Sequence, residues 1–343
     1  MLKLVGSVVK AMAQKSADRD EELKQMVRCV QLFFSHHKQQ GEIAQKLGIH
    51  QSKVSRLLKR ALDEGLYSVE LRVPTLPDLA GRLIDRYLLR DAVVVPTGEL
   101  ENLKEDLGRA GATYFERVIG SGAKVGVSCG TTLFYLIKHL REGSTKGLHI
   151  YPLAAETTLS FVDISFNTLV GMMTAKYRPI ATGYALPAQL LKATGTNRNA
   201  HDSFLNDPDI RKIFKESHDV DIALVGIGGL DPQTPGFSEL AMREGVSTKR
   251  LQKLGVAGEF NYQPFDKGGR PLSDPTIASL MNRFIGVPLS RFQELSELHG
   301  RLVVAVAGGP KKLGPIQSAL AGRLFNVLIT DQDTANKLLS PES

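Results

Sequence analysis

The chain has 343 residues, 42% hydrophobic and 23% charged, an ordinary globular composition that is long enough for two domains. No apolar run reaches the ~18 residues of a membrane span, and Met1–Lys10 lacks the apolar centre and small-residue cleavage site of a signal peptide. The two cysteines, Cys29 and Cys129, stand in no disulfide-framework or metal-ligand spacing, so a cytoplasmic protein with neither metal nor cofactor is expected.

Net charge is +7, and from Met1 to Val73 thirteen Lys/Arg stand against eight Asp/Glu. That local basic excess suits a nucleic-acid partner. In chain order, Asp20–His36 reads as a helix whose Leu23, Met26, Val27, Val30 and Phe34 form one apolar face. Asp20, Glu21 and Glu22 sit at its amino end, where the helix dipole favours them. A short helix, Glu42–Leu47, follows Gly41, then a turn at Gly48-Ile49-His50. A third helix runs from Gln51 to about Glu64 and stops at Gly65. Leu66–Val73 alternates as a strand would, and Pro74 and Pro77 mark a linker. Residues 1–75 are thus expected to form a small all-α helix-turn-helix domain and 76–343 a second domain.

After a connecting helix at Leu79–Leu89 the texture changes. Short runs that are apolar throughout lie at 92–95, 124–127, 148–153, 221–225, 302–306 and 326–329, alternating with helical segments. Strands buried on both faces of a parallel sheet look like this. The fold class expected is α/β with a mostly parallel, Rossmann-like sheet.

The segment 41–60 carries the pattern of two helices packed across a tight turn. Ile43 and Leu47 are apolar, Ala44 is small where the helices touch, Gly48 makes the turn, and Ile49, Val54 and Leu57 or Leu58 fill the wedge. The second helix would then read DNA. Gln51, Ser52 and Lys53 would point at base edges in the major groove, with Ser55 and Arg56 beside them. Glutamine pairs with adenine and arginine or lysine with guanine. Lys59 and Arg60 are expected on phosphates. A plain helical hairpin with a solvated basic face is the alternative, but the turn glycine, small residue, wedge and acid-free stretch from Gln51 to Arg60 agree with one another.

In the second domain, glycine-rich turns follow three predicted strands, at Val125–Thr132, Gly226–Gly229 and Ala307–Lys312. They would line the carboxyl edge of the sheet, where open α/β sheets bind ligands. Gly126, Gly130, Ser128, Thr131 and Thr132 open a helix, so backbone amides and hydroxyls could hold an anion, or the glycines could simply make a tight turn. The spacing matches neither a P-loop nor a dinucleotide fingerprint. Gly228 and Gly229 come from the second turn, and Lys312 (or Lys311) in the third could supply a cation for a phosphate. Glu259 and Asp266, in the predicted loop Gly258–Gly269, are candidate acceptors for ligand hydroxyls or solvated loop carboxylates.

The helix-turn-helix at 41–60, Gly126-x-Ser-x-Gly-Thr-Thr132, Val256-Ala-Gly-Glu259 with Phe265-Asp266 and Gly268-Gly269, and Val304–Gly309 through Asn326–Asp331 occur in one order over most of the chain. In this the chain resembles the SorC family of sugar-responsive transcription regulators. The resemblance implies an effector domain related in fold to sugar-phosphate isomerases and glucosamine-phosphate deaminases, a homotetramer on double-stranded operator DNA, and a sugar or sugar-phosphate effector. It also implies that Thr131 and Thr132 hold the phosphate with Lys312, and that Glu259 accepts from a hydroxyl. One departure is Glu156, in a loop where some members carry an arginine for the phosphate. A carboxylate there would repel a dianion, which leaves an unphosphorylated ligand as a second reading.

Catalysis is not expected. Deaminases of the related fold place an acid and a histidine just after a Gly-Ile-Gly turn, in a run x-Asp-Gly-His. Here Gly226-Ile-Gly228 leads to Gly229, Leu230, Asp231 and Pro232, with Asp231 one place out of step and no histidine near. His139, His149, His201, His218 and His299 are scattered.

Overall fold

The computed structural model describes residues 19–67, 74–143, 147–155, 162–186, 206–231, 234, 236–281 and 284–340. The chain divides into two compact units, Met1–Leu71 and Arg72–Ser343.

In the first unit, helix α1 covers 19–30 and widens into a π-helical turn at Gln31–Ser35. Helices α2 (Gln40–Leu47) and α3 (Gln51–Asp63) follow. Gln39 and Glu42 form a capping box on α2, and Gly48 ends it in the left-handed conformation. Met26, Cys29, Leu32, Ile43, Ala44, Val54, Leu57, Leu58 and Ala61 make one core. This corrects the expected face of the first helix. Only Met26 of the stripe is fully buried; Leu23, Val27 and Phe34 are 40%, 39% and 42% exposed. The core instead takes Met26, Cys29 and Leu32, a row that includes a cysteine and so is less visible as an apolar periodicity. The strand expected at Leu66–Val73 lies mostly outside the described residues, and Leu66 and Tyr67 form a bend.

The second unit opens with α4 (Pro77–Tyr87), then β1 (Asp91–Val95), α5 (Leu103–Val118), β2 (Lys124–Val127), α6 (Thr131–Lys138), β3 (His149–Pro152), α7 (Phe166–Lys176) and β4 (Thr182–Gly183). Helix α8 (Pro208–Ser217) leads to the long central strand β5 (Ile222–Gly228), followed by α9 (Phe237–Arg243) and α10 (Thr248–Lys253). Strands β6 (Gly258–Phe260) and β7 (Gln263–Phe265), helices α11 (Pro275–Met281) and α12 (Leu289–Glu297), β8 (Leu302–Val306), α13 (Leu313–Ala321), β9 (Val327–Asp331) and α14 (Gln332–Leu339) complete it.

The main sheet has the order β1-β9-β8-β5-β2-β3-β4, with every neighbouring pair parallel. Its two faces carry separate apolar layers: Val94, Ala223, Val225 and Leu328 face one, Val125, Ile222, Leu224 and Ile329 the other. Alternating residues of one strand therefore go to opposite cores, and both must be apolar. The six strands expected in the second domain are all present. The span Gly258–Gly269, expected as a loop, is instead largely the antiparallel hairpin β6–β7, paired onto the end of β5. Its strands are three residues each, too short for alternation to be legible. Residues 166–176 and 182–183 form α7 and edge strand β4.

Candidate DNA-reading helix and effector cleft

Helix α3 is capped by His50, whose ring Nδ1 lies 3.0 Å from the Ser52 hydroxyl and accepts the Ser52 N–H at 3.5 Å. Val54, Leu57, Leu58 and Ala61 point into the core, which turns Gln51, Ser52, Ser55, Arg56 and Lys59 outward together. These positions recur at helical spacing and form one exposed face. Lys53 is half-buried at its margin. Arg60, expected on a phosphate, instead bonds Glu22 of α1 at 2.5 Å and Glu64 at 2.7 Å. Those carboxylates hold its guanidinium above its usual pKa, Glu64 acting most strongly. Its guanidinium ties α3 to α1.

In the second unit, adjacent strands β2, β5 and β8 end at one edge, and a cleft of about 930 Å³ opens there. Helix α6 supplies the first wall. Its first-turn N–H groups lack carbonyl partners within the helix and face an end of positive dipole. Thr131, Gly130 and Ser128 line the cleft. Gly108 on α5 positions this helix, because a side chain there would overlap Tyr135 and the backbone of α6. The Ser128 hydroxyl is committed to Asn261 Oδ1 at 2.8 Å, which ties the end of β2 to the hairpin.

The hairpin supplies the opposite wall. In its register Glu259 stands across from Gly228. The carboxyl fills the space that Gly228 and Gly236 leave open; a Cβ on either would collide with it. Its Oε2 accepts the N–H of Phe237, the first residue of α9. Burial raises the Glu259 carboxyl to about 7, against the opposing pull of that N–H and of Lys312. Lys312, half-buried, is pushed below the usual lysine range by burial despite the Glu259 charge. The two groups place a positive charge and a switchable acid on one cavity, which suits a ligand carrying both an anion and hydroxyls.

The residues expected from the sequence sort as follows. Ser128, Gly130, Thr131, Gly228, Gly229, Glu259 and Lys312 all line the cleft. Gly126 does not: it lies within β2, packed against Leu153 and Val220. Thr132 is next to the wall without lining it. Asp266 is away from the cleft, where it accepts Gly268 N–H, Arg270 N–H and Arg270 Nε and so closes its own turn. Glu156 lies outside the described residues. Sequence reasoning missed Lys104, Cys129, Gln252, Asn261 and Tyr262, which also line the cleft. Asn261 and Tyr262 form the two-residue hairpin turn, with φ of 51° and 65°. The usual Asn-Gly mark of such a turn is absent because tyrosine holds the second place.

The family model of a sugar-binding domain matches residues 72–340. The chain belongs to the SorC family. This SorC-family chain is 28% identical over 328 residues to the deoxyribonucleoside regulator of Bacillus subtilis, covering 94% of this chain and 99% of that one. It is 27% identical over 333 residues to the erythritol catabolism regulatory protein of Brucella abortus, covering 94% and 98%. The crystal structure of the full-length sorbitol operon regulator from Klebsiella pneumoniae shares the fold, with a TM-score of 0.63 at 23% identity over 93% of this chain and 100% of that one.

Proposed function

We propose that this SorC-family chain is a transcription regulator that reads operator DNA through α3 and whose DNA binding is set by a small carbohydrate, with a phosphate or similar anion, held in the cleft. The cleft itself carries the ligand reading: Thr131 lines it at the amino end of α6, an end that suits an anion, while Glu259 and Lys312 offer a carboxyl and an ammonium to the rest of the molecule. The phosphate would rest on the Thr131–Thr132 backbone and Lys312. Glu259 would accept a hydroxyl. On α3, Gln51 and Arg56 read bases, Ser52, Ser55 and Lys53 assist, and Lys59 holds phosphate. The ligand changes DNA affinity by its difference in affinity for two states of the second unit. The regulator works in the cytoplasm as a homo-oligomer, a tetramer by likeness to its family, and needs no cofactor.

A binding rather than catalytic role fits the cleft's chemistry. Asp231 is its second carboxylate, but it lies 3.9 Å from Lys311, and no histidine lines the cleft among the described residues. The test is fluorescence anisotropy of the full chain on DNA from upstream of its own gene, titrated with free and phosphorylated sugars. Salt-sensitive binding changed by one phosphorylated compound is expected. A response to unphosphorylated compounds alone would remove the phosphate from the reading, and no selective DNA binding would overturn it.

A further inference from the structure

The turn between β2 and α6 divides its hydrogen-bonding groups between two uses. The Ser128 N–H bonds the carbonyl of Leu224 at 3.0 Å and the Gly130 N–H that of Ile164 at 3.1 Å. The Ser128 hydroxyl donates to Asn261 Oδ1 at 2.8 Å. These donors are spent inside the protein, which leaves the first-turn N–H groups of α6, at Thr131 and Thr132, for an anion.

The direction of the Ser128 bond is fixed by what lies behind Asn261. Its Nδ2 stands 3.1 Å from the Leu153 carbonyl and 3.5 Å from that of Val287. A carbonyl only accepts, so the amide cannot turn over without setting its own oxygen against both. The Leu153 carbonyl also takes the Val287 N–H at 2.9 Å, and the Val287 carbonyl takes Gln263 Nε2 at 2.7 Å, so both oxygens are held in place. Asn261 therefore presents Oδ1 to Ser128, and Ser128 must donate.

A serine hydroxyl has one proton and two lone pairs. Ser128 and Asn261 are each 2% exposed and both line the cleft. With its proton committed to Asn261, Ser128 has only lone pairs to offer a ligand. An anionic oxygen set against them would be repelled, whereas a ligand hydroxyl would find an acceptor. We infer that Ser128 is a specificity-determining residue of the cleft: it accepts a hydrogen bond from a hydroxyl of the effector and confines the anionic group to the first turn of α6, while Asn261 is the positioning residue that sets its polarity. The inference rests on the proposed function for a ligand that carries both an anion and hydroxyls. It adds where on the turn each group belongs, and it takes Ser128 out of the anion-holding set that the sequence suggests.

Two measurements on the full chain test this. In the first, serine is labelled with carbon-13 at Cβ and spectra are taken, without ligand, in equal parts of light and heavy water. A hydroxyl held as a donor exchanges slowly and gives two Cβ lines, one for each hydrogen isotope. The Ser128 signal, assigned by its loss in Ser128→Ala, should be split. Asn261→Gly removes the amide at a backbone φ of 51° that glycine tolerates, and should merge the two lines. A single line in the wild type overturns the inference, and a split that survives Asn261→Gly overturns the part given to Asn261. In the second, calorimetry compares inorganic phosphate with the phosphate esters of ribose, glucose and glycerol. Ser128→Ala should weaken the tightest ester about three- to tenfold and leave inorganic phosphate within roughly twofold. Equal effects on ester and inorganic phosphate overturn the inference while the proposed function stands. If neither inorganic phosphate nor any ester binds the wild type, the anion falls from the proposed function and the selective role of Ser128 falls with it.

Discussion

Single side chains divide the labour on each unit. On α3, Arg56 is exposed and in line with Gln51 and Ser52, so Arg56→Ala should relax base preference and cost ~1–3 kcal/mol on the preferred operator. Lys59→Ala should weaken all sequences alike and reduce the salt slope by about one unit, as a phosphate contact does. Both are read by anisotropy at several salt concentrations. Arg60→Ala should act differently: its bonds to Glu22 and Glu64 make it a brace of the unit, so the thermal midpoint moves more than sequence preference does. In the cleft, Glu259 has a pKa near 7 when folded, above its ordinary 4.5. The folded chain therefore holds that proton more tightly. The stabilisation is complete below about 4.5 and is lost as pH rises through about 7. Lowering the pH from about 7.5 to about 5.5 should raise the thermal midpoint of the wild type more than that of Glu259→Gln. An equal rise in both would show that Glu259 does not titrate there.

Elements set where these side chains stand. Helix α3 turns its reading face outward because Val54, Leu57, Leu58 and Ala61 are drawn into the core of a very small unit. Leu57→Ala should cost ~2–5 kcal/mol, enough to unfold much of a small unit. The test is loss of DNA binding with the effector response of the second unit intact, followed by ligand-induced thermal shift. Helix α6 depends on close approach to α5. Gly108→Leu should push the two apart, shift Thr131, and abolish the effector response while α3 still binds DNA. The hairpin β6–β7 lifts Glu259 out of solvent and sets it over Gly228. The carboxyl's high pKa is a property of that hairpin as much as of the residue.

At the scale of the molecule, two units with different chemistry must share one free energy. If the effector changes operator affinity by some factor, operator DNA must change effector affinity by the same factor. Calorimetric titration of the effector, with and without saturating operator, should return that factor from both directions. Unequal factors would mean that a third equilibrium, such as assembly, is linked to both.

From the sequence alone came the two units, the helix-turn-helix with the exposed face of α3, the order of the parallel strands along the chain, and the three glycine turns. Each is encoded within a short window, by apolar spacing or by a residue the backbone requires. Burial on both sides makes a central strand apolar throughout, so 302–306 announces itself. Tertiary structure decided which residues meet. Glu259 enters the cleft and Asp266 does not, although they lie seven positions apart in one motif. The pairing of β6 with β5 makes that choice, and no local pattern records it. Likewise Leu23 and Val27 read as core by periodicity, yet the core rotated to Met26, Cys29 and Leu32. Periodicity shows that a face is apolar; only packing shows which part of that face the core takes in.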